Sequence, residues 1–369
     1  MSFDALALAR PQIAGLPAFA AALSLNAPPV ARFASNENAL GPSPRALEAI
    51  ARAAVDAHRY PDAGGAALKK SLAEHLGTGL TPAHLALGGG ANELIELLVH
   101  VFVGPGDEVV VSRPTFVMYG IAVRLLGGRV IEVPSRGWEH DLDAMLAAIG
   151  PKTRLVFVCN PDNPTGTIVR REAFERFLAG VPPNVVVVSD EAYHEYVEDP
   201  GYPRTLDHLE ADAPLVVLRT FSKVHSLAGL RVGYAIARPA LASLIERVRQ
   251  PYTVNAVAQA AALAALDDAD HVARSRALVR SERPWLERAL GAIGITTFPS
   301  HANFLLADLG TDSRPVCSAL EAQGLLLRDL VAFGAPASCV RITFGTRPEN
   351  EALVQALAAM RGRGVAVQG

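Results

Sequence analysis

The chain has 369 residues, 50% hydrophobic and 19% charged, with 34 Lys plus Arg against 37 Asp plus Glu for a net charge of −3. That is enough apolar material to fill the core of one large α/β unit or two domains, which excludes a disordered chain. A near-neutral balance without a basic run argues against wrapping nucleic acid.

No apolar stretch reaches the roughly 20 residues that span a bilayer, and Met1-Ser2-Phe3-Asp4 lacks the features of a signal peptide. Cys159, Cys317 and Cys339 fit neither a disulfide framework nor a metal site, so a reducing cytoplasm is the expected compartment. Residues 1–43 are rich in Pro, Ala and Asn with little periodicity and read as an N-terminal arm. A helix opens over 44–50 with Pro44 in its first turn. The segment Leu87-Gly88-Gly89-Gly90-Ala91-Asn92-Glu93 then leads into a second helix over 92–103. Bare backbone N–H groups at a helix start form an anion site, while the glycine spacing matches neither a nucleotide P-loop nor a dinucleotide fingerprint.

Short β-branched runs follow at 108–111, 129–133, 155–158, 185–188, 215–218 and 232–236, several of them separated by helical stretches. Near-continuous apolar strands joined by helices predict a mainly parallel α/β sheet covered on both faces. Ligands of such sheets sit at the carboxyl ends of the strands, which draws attention to Asn160, Asp190 and Thr220. After Pro251 the chain turns Ala-rich and helical (256–266 and 272–290) and closes with strands near 303–306 and 340–343. The expected division is an arm over 1–43 that helps complete the smaller domain, a large domain over 44–255, and a smaller α/β domain over 256–369.

Three strand ends carry candidate chemistry. Thr220-Phe221-Ser222-Lys223 is followed by Arg231, and two hydroxyls with a guanidinium suit a phosphate dianion. A lysine desolvated beside cations loses basicity and condenses with aldehydes; the same residues equally read as a helix cap with surface charges. Ser189-Asp190-Glu191-Ala192-Tyr193 sets a carboxylate near a phenol, and equally reads as a helix N-cap. Asn160-Pro161-Asp162-Asn163-Pro164-Thr165-Gly166 forces a turn in which Asn163 is held before Pro164. An imine-forming lysine, a partner for a ring nitrogen, an anion cradle and a phenol are together the parts of a pyridoxal phosphate site.

These segments join Ser35-Asn36-Glu37-Asn38, Leu40-Gly41-Pro42-Ser43-Pro44, Arg59-Tyr60-Pro61-Asp62, Leu227-Ala228-Gly229-Leu230-Arg231, Ala302-Asn303-Phe304 and Arg341-Ile342-Thr343. The set resembles the fold-type I aminotransferases that use pyridoxal 5′-phosphate, and within them the histidinol-phosphate aminotransferases. The resemblance runs from about residue 35 to near the C-terminus. It implies an aspartate aminotransferase-like fold: a large domain with a mainly parallel, seven-stranded-type sheet flanked by helices, a smaller C-terminal α/β domain and an N-terminal arm.

The resemblance also implies roles. Lys223 carries the Schiff base and then moves the proton between substrate Cα and cofactor C4′. Asp190 pairs with the pyridine nitrogen, and Tyr193 and Asn163 hydrogen-bond the ring hydroxyl. Ala192 lies on one ring face and Phe116 stacks on the other. The phosphate falls to the Ala91 and Asn92 backbone, Thr220, Ser222 and Arg231, with Tyr60 reaching in from the second subunit of a homodimer. Arg341 binds the anionic end of the substrate, Arg328 is either a second clamp or a surface partner of Asp329, and Asn36 and Asn303 lie beside the substrate. No metal is implied.

The expected reaction is transamination of L-histidinol phosphate with 2-oxoglutarate in histidine biosynthesis, with ping-pong kinetics. An aromatic or broad-range amino acid aminotransferase and a threonine-phosphate decarboxylase are the alternatives. A non-catalytic pyridoxal phosphate-binding regulator is disfavoured, because Lys223 is present and the first ~45 residues lack a basic helix-turn-helix pattern. Two departures touch substrate recognition. Leu16-Pro17-Ala18-Phe19 stands where a Pro-Tyr pair is usual, and Val224-His225-Ser226 places a histidine, read as a polar loop residue, where an aromatic or small residue is usual.

Overall fold

The computed structural model describes residues 9–14, 30–77, 79–211 and 214–362; Leu16-Pro17-Ala18-Phe19 lies outside the described residues. The chain opens with α1 (Pro11–Ala14), β1 (Ala31–Arg32), α2 (Pro44–Ala54), α3 (Ala66–Leu76), β2 (Leu85–Gly88) and α4 (Ala91–Phe102). Strands and helices then alternate as β3 (Glu108–Arg113), α5 (Val117–Leu125), β4 (Arg129–Pro134), α6 (Leu142–Ala147), β5 (Thr153–Cys159), α7 (Arg171–Gly180) and β6 (Val186–Asp190). After β7 (Leu215–Thr220) and β8 (Gly233–Ala237) come α8 (Pro239–Val248), α9 (Ala256–Leu266) and α10 (Ala269–Ala292). The remainder is β9 (Thr296–Thr297), β10 (Phe304–Asp308), α11 (Ser313–Glu321), β11 (Leu325–Leu326), β12 (Arg328–Asp329), β13 (Cys339–Thr343) and α12 (Arg347–Gly362).

Seven strands form one sheet in the order β2-β8-β7-β6-β5-β3-β4. Only β8 runs against its neighbours, pairing antiparallel with both β2 and β7, so the sheet is mainly parallel as the apolar runs predict. Alternate residues feed two separate cores. Val156, Val158, Val187, Leu215 and Val217 face one side, while Leu155, Phe157, Val186, Val188, Val216 and Leu218 face the other. Burial of both faces is why these strands read as unbroken apolar text instead of alternating with polar residues.

Helix starts are set locally. Ser43 accepts the Ala46 N–H ahead of Pro44, Asn255 accepts the Ala258 N–H, and Asp268 accepts the His271 N–H. Strand β2 runs directly into the glycine-rich loop, an element the β-branched runs do not predict. The packing also departs from the expected division at residue 255: Ala258, Ala261, Ala262, Ala265 and Leu266 of α9 are buried in the same core as Leu68, Leu72, Leu85 and Leu87 beside the large sheet. A helix apolar on nearly every side carries no stripe that says which core it joins.

A second sheet has the order β12-β13-β10-β9 and packs with α10 and α12 around Leu286, Leu305, Val340, Ile342 and Leu353. The described part of the arm contributes β1, which pairs in parallel with β11 through Ala31 and Leu325. No helix among the described residues is long and apolar enough to cross a membrane.

Candidate active site

The carboxyl ends of the parallel strands and the amino end of the antiparallel β8 form a row. Gly88, Gly233 and Thr220 stand side by side across β2, β8 and β7, and Asp190 stands beside Cys159 across β6 and β5. The first three mark an anion cradle. Gly90 is left-handed, and a Cβ there would come within 2.7 Å of an Arg231 nitrogen. A Cβ on Gly233 would stand 2.9 Å from the Ala91 nitrogen and from the Gly90 and Arg219 backbone. Only glycine lets the α4 N-terminus approach the sheet this closely. Thr220 Oγ1 lies 2.9 Å from Ser222 Oγ and accepts the Ser222 N–H at 3.1 Å. The exposed guanidinium of Arg231 spans the loop, donating to Ala228 O and Gly89 O. Ala91 and Asn92 open α4 at this point.

Lys223 follows β7 and is half-buried. Its Nζ donates to Ser35 O at 3.0 Å and lies 5.5 Å from the Tyr193 ring centroid. Burial, reinforced by Arg341, lowers its pKa to about 7. Asp190 ends β6 and is 3% exposed; burial raises its carboxyl to about 6, against hydrogen bonds from Tyr119 and the Ala192 N–H. The Tyr193 hydroxyl accepts from Asn36 Nδ2 at 2.9 Å and from Asn163 Nδ2 at 3.3 Å, so its own proton remains available to donate. Burial pushes that phenol well above its usual range. Ala192 precedes Tyr193 in the same buried segment. Phe116 caps α5, half-buried, with its ring edge-to-face against Tyr119.

The second sheet supplies two arginines. Arg341, in β13, is 5% exposed and donates to Asn163 Oδ1 and Ala34 O. Its guanidinium lies 5.5 Å from the rings of both Phe304 and Phe333, and its Nε has no hydrogen-bond partner among the described residues. Burial lowers its pKa to about 10. Arg328 is its register neighbour across β12 and β13 and reaches the same Ala34 carbonyl from Nε at 3.4 Å. Asp329 instead accepts the Val331 N–H, so the geometry places Arg328 toward Arg341. Asn303 donates to Asn36 O at 3.1 Å and leaves a buried Oδ1 without a partner among the described residues.

Asn36, left-handed and fully buried, is tied to Thr343 through its backbone N–H and its Oδ1. Lys223, Tyr193, Asn163, Asn36, Asn303, Arg341 and Arg328 are thus joined in one chain of contacts, with the Asp190 charge felt by Lys223 and Tyr193. Tyr60 does not join them: it is 82% exposed and stacked on Tyr252 at 4.5 Å. His225 lies in a turn, as a loop residue, but a buried one: it is 9% exposed with its ring against Phe221.

Tyr119 and the carbonyls of Ala34 and Ser35 are contacts that no motif in the sequence announces. Tyr119 stands three positions after Phe116 on a helix, a spacing that puts two side chains on one face. Backbone acceptors leave no trace in residue type.

The site fits the cofactor implied by the resemblance. A near-neutral amine beside a carbonyl, a buried carboxylate held only by neutral donors, and a cradle that a Cβ would fill are the partners that an aldehyde, a ring N–H and a phosphate each require.

Residues 28–357 match the model for aminotransferase class I and II, and the chain belongs to that family. It is 44% identical over 355 residues to the histidinol-phosphate aminotransferase of Moorella thermoacetica, covering 96% of this chain and 91% of that protein. It is equally 44% identical to histidinol-phosphate aminotransferase 2 of Pseudomonas aeruginosa, covering 96% and 98%. Among solved structures, the histidinol-phosphate aminotransferase from Sinorhizobium meliloti in complex with pyridoxal-5′-phosphate superposes with a TM-score of 0.84 at 32% identity, over 91% of this chain and 92% of that one.

Proposed function

We propose that the chain is a pyridoxal phosphate-dependent transaminase that moves the amino group of L-histidinol phosphate to 2-oxoglutarate. The observation that carries the choice of substrate is the Arg328–Arg341 pair, adjacent in register and directed at one carbonyl. Two guanidinium groups side by side suit a phosphate dianion, where one would serve a carboxylate. The relatives named above support the same reading.

Pyridoxal phosphate, when bound, supplies an aldehyde that condenses with amines and a ring that takes up the electron pair left on the substrate α-carbon. The Ala91 and Asn92 N–H groups, Thr220, Ser222 and Arg231 bind its phosphate. Asp190 holds the proton of the ring nitrogen, Tyr193 and Asn163 face the ring hydroxyl, and Ala192 and Phe116 flank the ring. Lys223, whose basicity burial lowers, would supply the amine that holds the aldehyde and the group that moves a proton at the substrate Cα. Arg341 and Arg328 orient the phosphate end of the substrate, and Asn303 and Asn36 line the same space.

The exposed Tyr60 belongs, in this reading, to the phosphate site of a second copy, which makes the dimer part of the site. Mixing Tyr60→Ala with Lys223→Ala protein tests it. Random exchange restores one intact site per mixed dimer, about a quarter of wild-type activity; no recovery after proven exchange removes the shared site. Free thiols at Cys159, Cys317 and Cys339 support action in a reducing cytoplasm.

The substrate is tested by single-turnover absorbance of the cofactor-loaded protein with histidinol phosphate, phenylalanine, glutamate or threonine phosphate. Fast conversion by histidinol phosphate and glutamate, with phenylalanine slow, is the expected result. Preference for phenylalanine reassigns the arginines to a carboxylate. Release of CO2 from threonine phosphate replaces transamination by decarboxylation.

A further inference from the structure

Tyr119 is a buried phenol that the reaction above does not use. It is 1% exposed, and its ring lies nearly parallel to that of Phe157 at 4.4 Å, which fixes the ring plane. Its hydroxyl donates to Asp190 Oδ2 at 2.7 Å, while the Ala192 N–H donates to Oδ1 at 3.2 Å. One donor on each oxygen fixes the carboxylate plane and leaves further lone pairs free for another donor.

The titratable and charged groups that bear on Asp190 come from several elements. Tyr119 approaches from α5, Cys159 and Asp162 from the end of β5, Glu191 and Tyr193 from its own segment, and Lys223 from beyond β7. Arg219 compensates Glu191 through two hydrogen bonds. Thr115 and Thr165 satisfy Asp162. Burial favours a protonated Asp190, and the Tyr119 hydroxyl is the largest influence against it. The phenol itself is held well above its usual range by burial, so it remains a donor.

We propose that Tyr119 is a positioning residue: its hydroxyl holds the Asp190 carboxylate in the rotamer and the ionised state that the N–H of a pyridine ring requires. The proposal rests on pyridoxal phosphate being the cofactor. Without the hydroxyl, the carboxylate keeps its proton to higher pH, and a proton placed between ring nitrogen and carboxylate moves toward the carboxylate. Phenylalanine preserves the stacking on Phe157, so the two roles of the side chain separate.

The test is cofactor affinity of the full-length apoprotein between about pH 5 and 8, together with the 15N resonance of ring-labelled cofactor once bound. Tyr119→Phe should move the pH midpoint of binding up by about one unit, a roughly tenfold weakening on the acid side. The nitrogen resonance should move toward that of neutral pyridine, with the melting temperature held. Replacement of Tyr119 by 3-fluorotyrosine, a stronger donor, should shift both readouts the opposite way, and it serves if Tyr119→Phe does not fold. On an Asp190→Asn background, Tyr119→Phe should add nothing. A wild-type pH profile and nitrogen resonance in the variants, or full additivity with Asp190→Asn, overturns the proposal. Failure of the wild-type protein itself to take up pyridoxal phosphate overturns the cofactor reading and the proposal with it.

Discussion

The two sheets contribute to the site in opposite ways. At the strand ends of the seven-stranded sheet, Lys223 and Asp190 stand against neutral partners: the Ser35 carbonyl for the amine, a phenol and a backbone N–H for the carboxylate. Such groups are costly to bury and keep capacity for an incoming partner. On the four-stranded sheet, Arg341 is already engaged, with one acceptor from the arm and one from the turn after β5. The first half is shaped for a resident group that remains. In the proposed function the second would exchange its acceptors each time an anion arrives and leaves, so binding there would compete with contacts inside the protein.

Lys223→Ala breaks the first half outright. Turnover should fall by at least about 10³-fold, the visible absorbance of covalently held cofactor should vanish, and thermal unfolding should stay cooperative. Full activity in that variant would remove the lysine from the chemistry.

Arg341→Ala strikes the second half. It should lower kcat/KM for histidinol phosphate by roughly 10²-fold while cofactor absorbance is unchanged, because the lost contacts are charge-assisted hydrogen bonds. Loss of bound cofactor instead would place Arg341 in the wrong half. Arg328→Ala should cost roughly tenfold for a phosphate substrate and little for phenylalanine, a contrast visible in steady-state kinetics with both donors.

The smallest effect is on pH. Burial lowers the Lys223 pKa from its ordinary value to about 7, so the native state releases that proton more readily than the unfolded chain. Only the neutral amine condenses with an aldehyde. The rate of cofactor loading should therefore rise through about pH 7, fall roughly tenfold per unit below it, and level off above. In the Arg341→Ala variant the midpoint should move upward, since that guanidinium is the largest charge disfavouring the ammonium. Stopped-flow absorbance across pH checks both, and an unmoved midpoint would show that the two halves are electrostatically independent.

The same contrast decides how much the sequence discloses. Each residue of the first half stands at the end of a β-branched run, so the strand pattern alone brings Asp190, Thr220 and Lys223 to one edge. The second half converges from segments hundreds of positions apart, and its two arginines share the backbone carbonyl of Ala34, which any residue type supplies. Arg341 is visible only through a resemblance; its partnership with Arg328 follows from a β12–β13 register that two residues of strand cannot announce. Strand β2 leaves no clear signal because its four residues, Leu85–Gly88, end in a glycine that merges with the loop. The alanine-rich α9 joins the large-sheet core against the expected division because it has no polar face to orient it.

Consider the arm as a matter of timing. Ala34 and Arg341 are 307 positions apart, and β1 pairs with a strand from the same late part of the chain. At about 5–20 residues per second, the ribosome makes Ala34 roughly 15 to 60 s before the arginine that binds it. The seven-stranded sheet can assemble from residues already available, whereas the arm must wait for nearly the whole chain. The wall behind the lysine is thus made first and fastened last, and a nascent chain passes through a stage in which the seven-stranded sheet is available but the arm is not yet tied to Arg341 or β11.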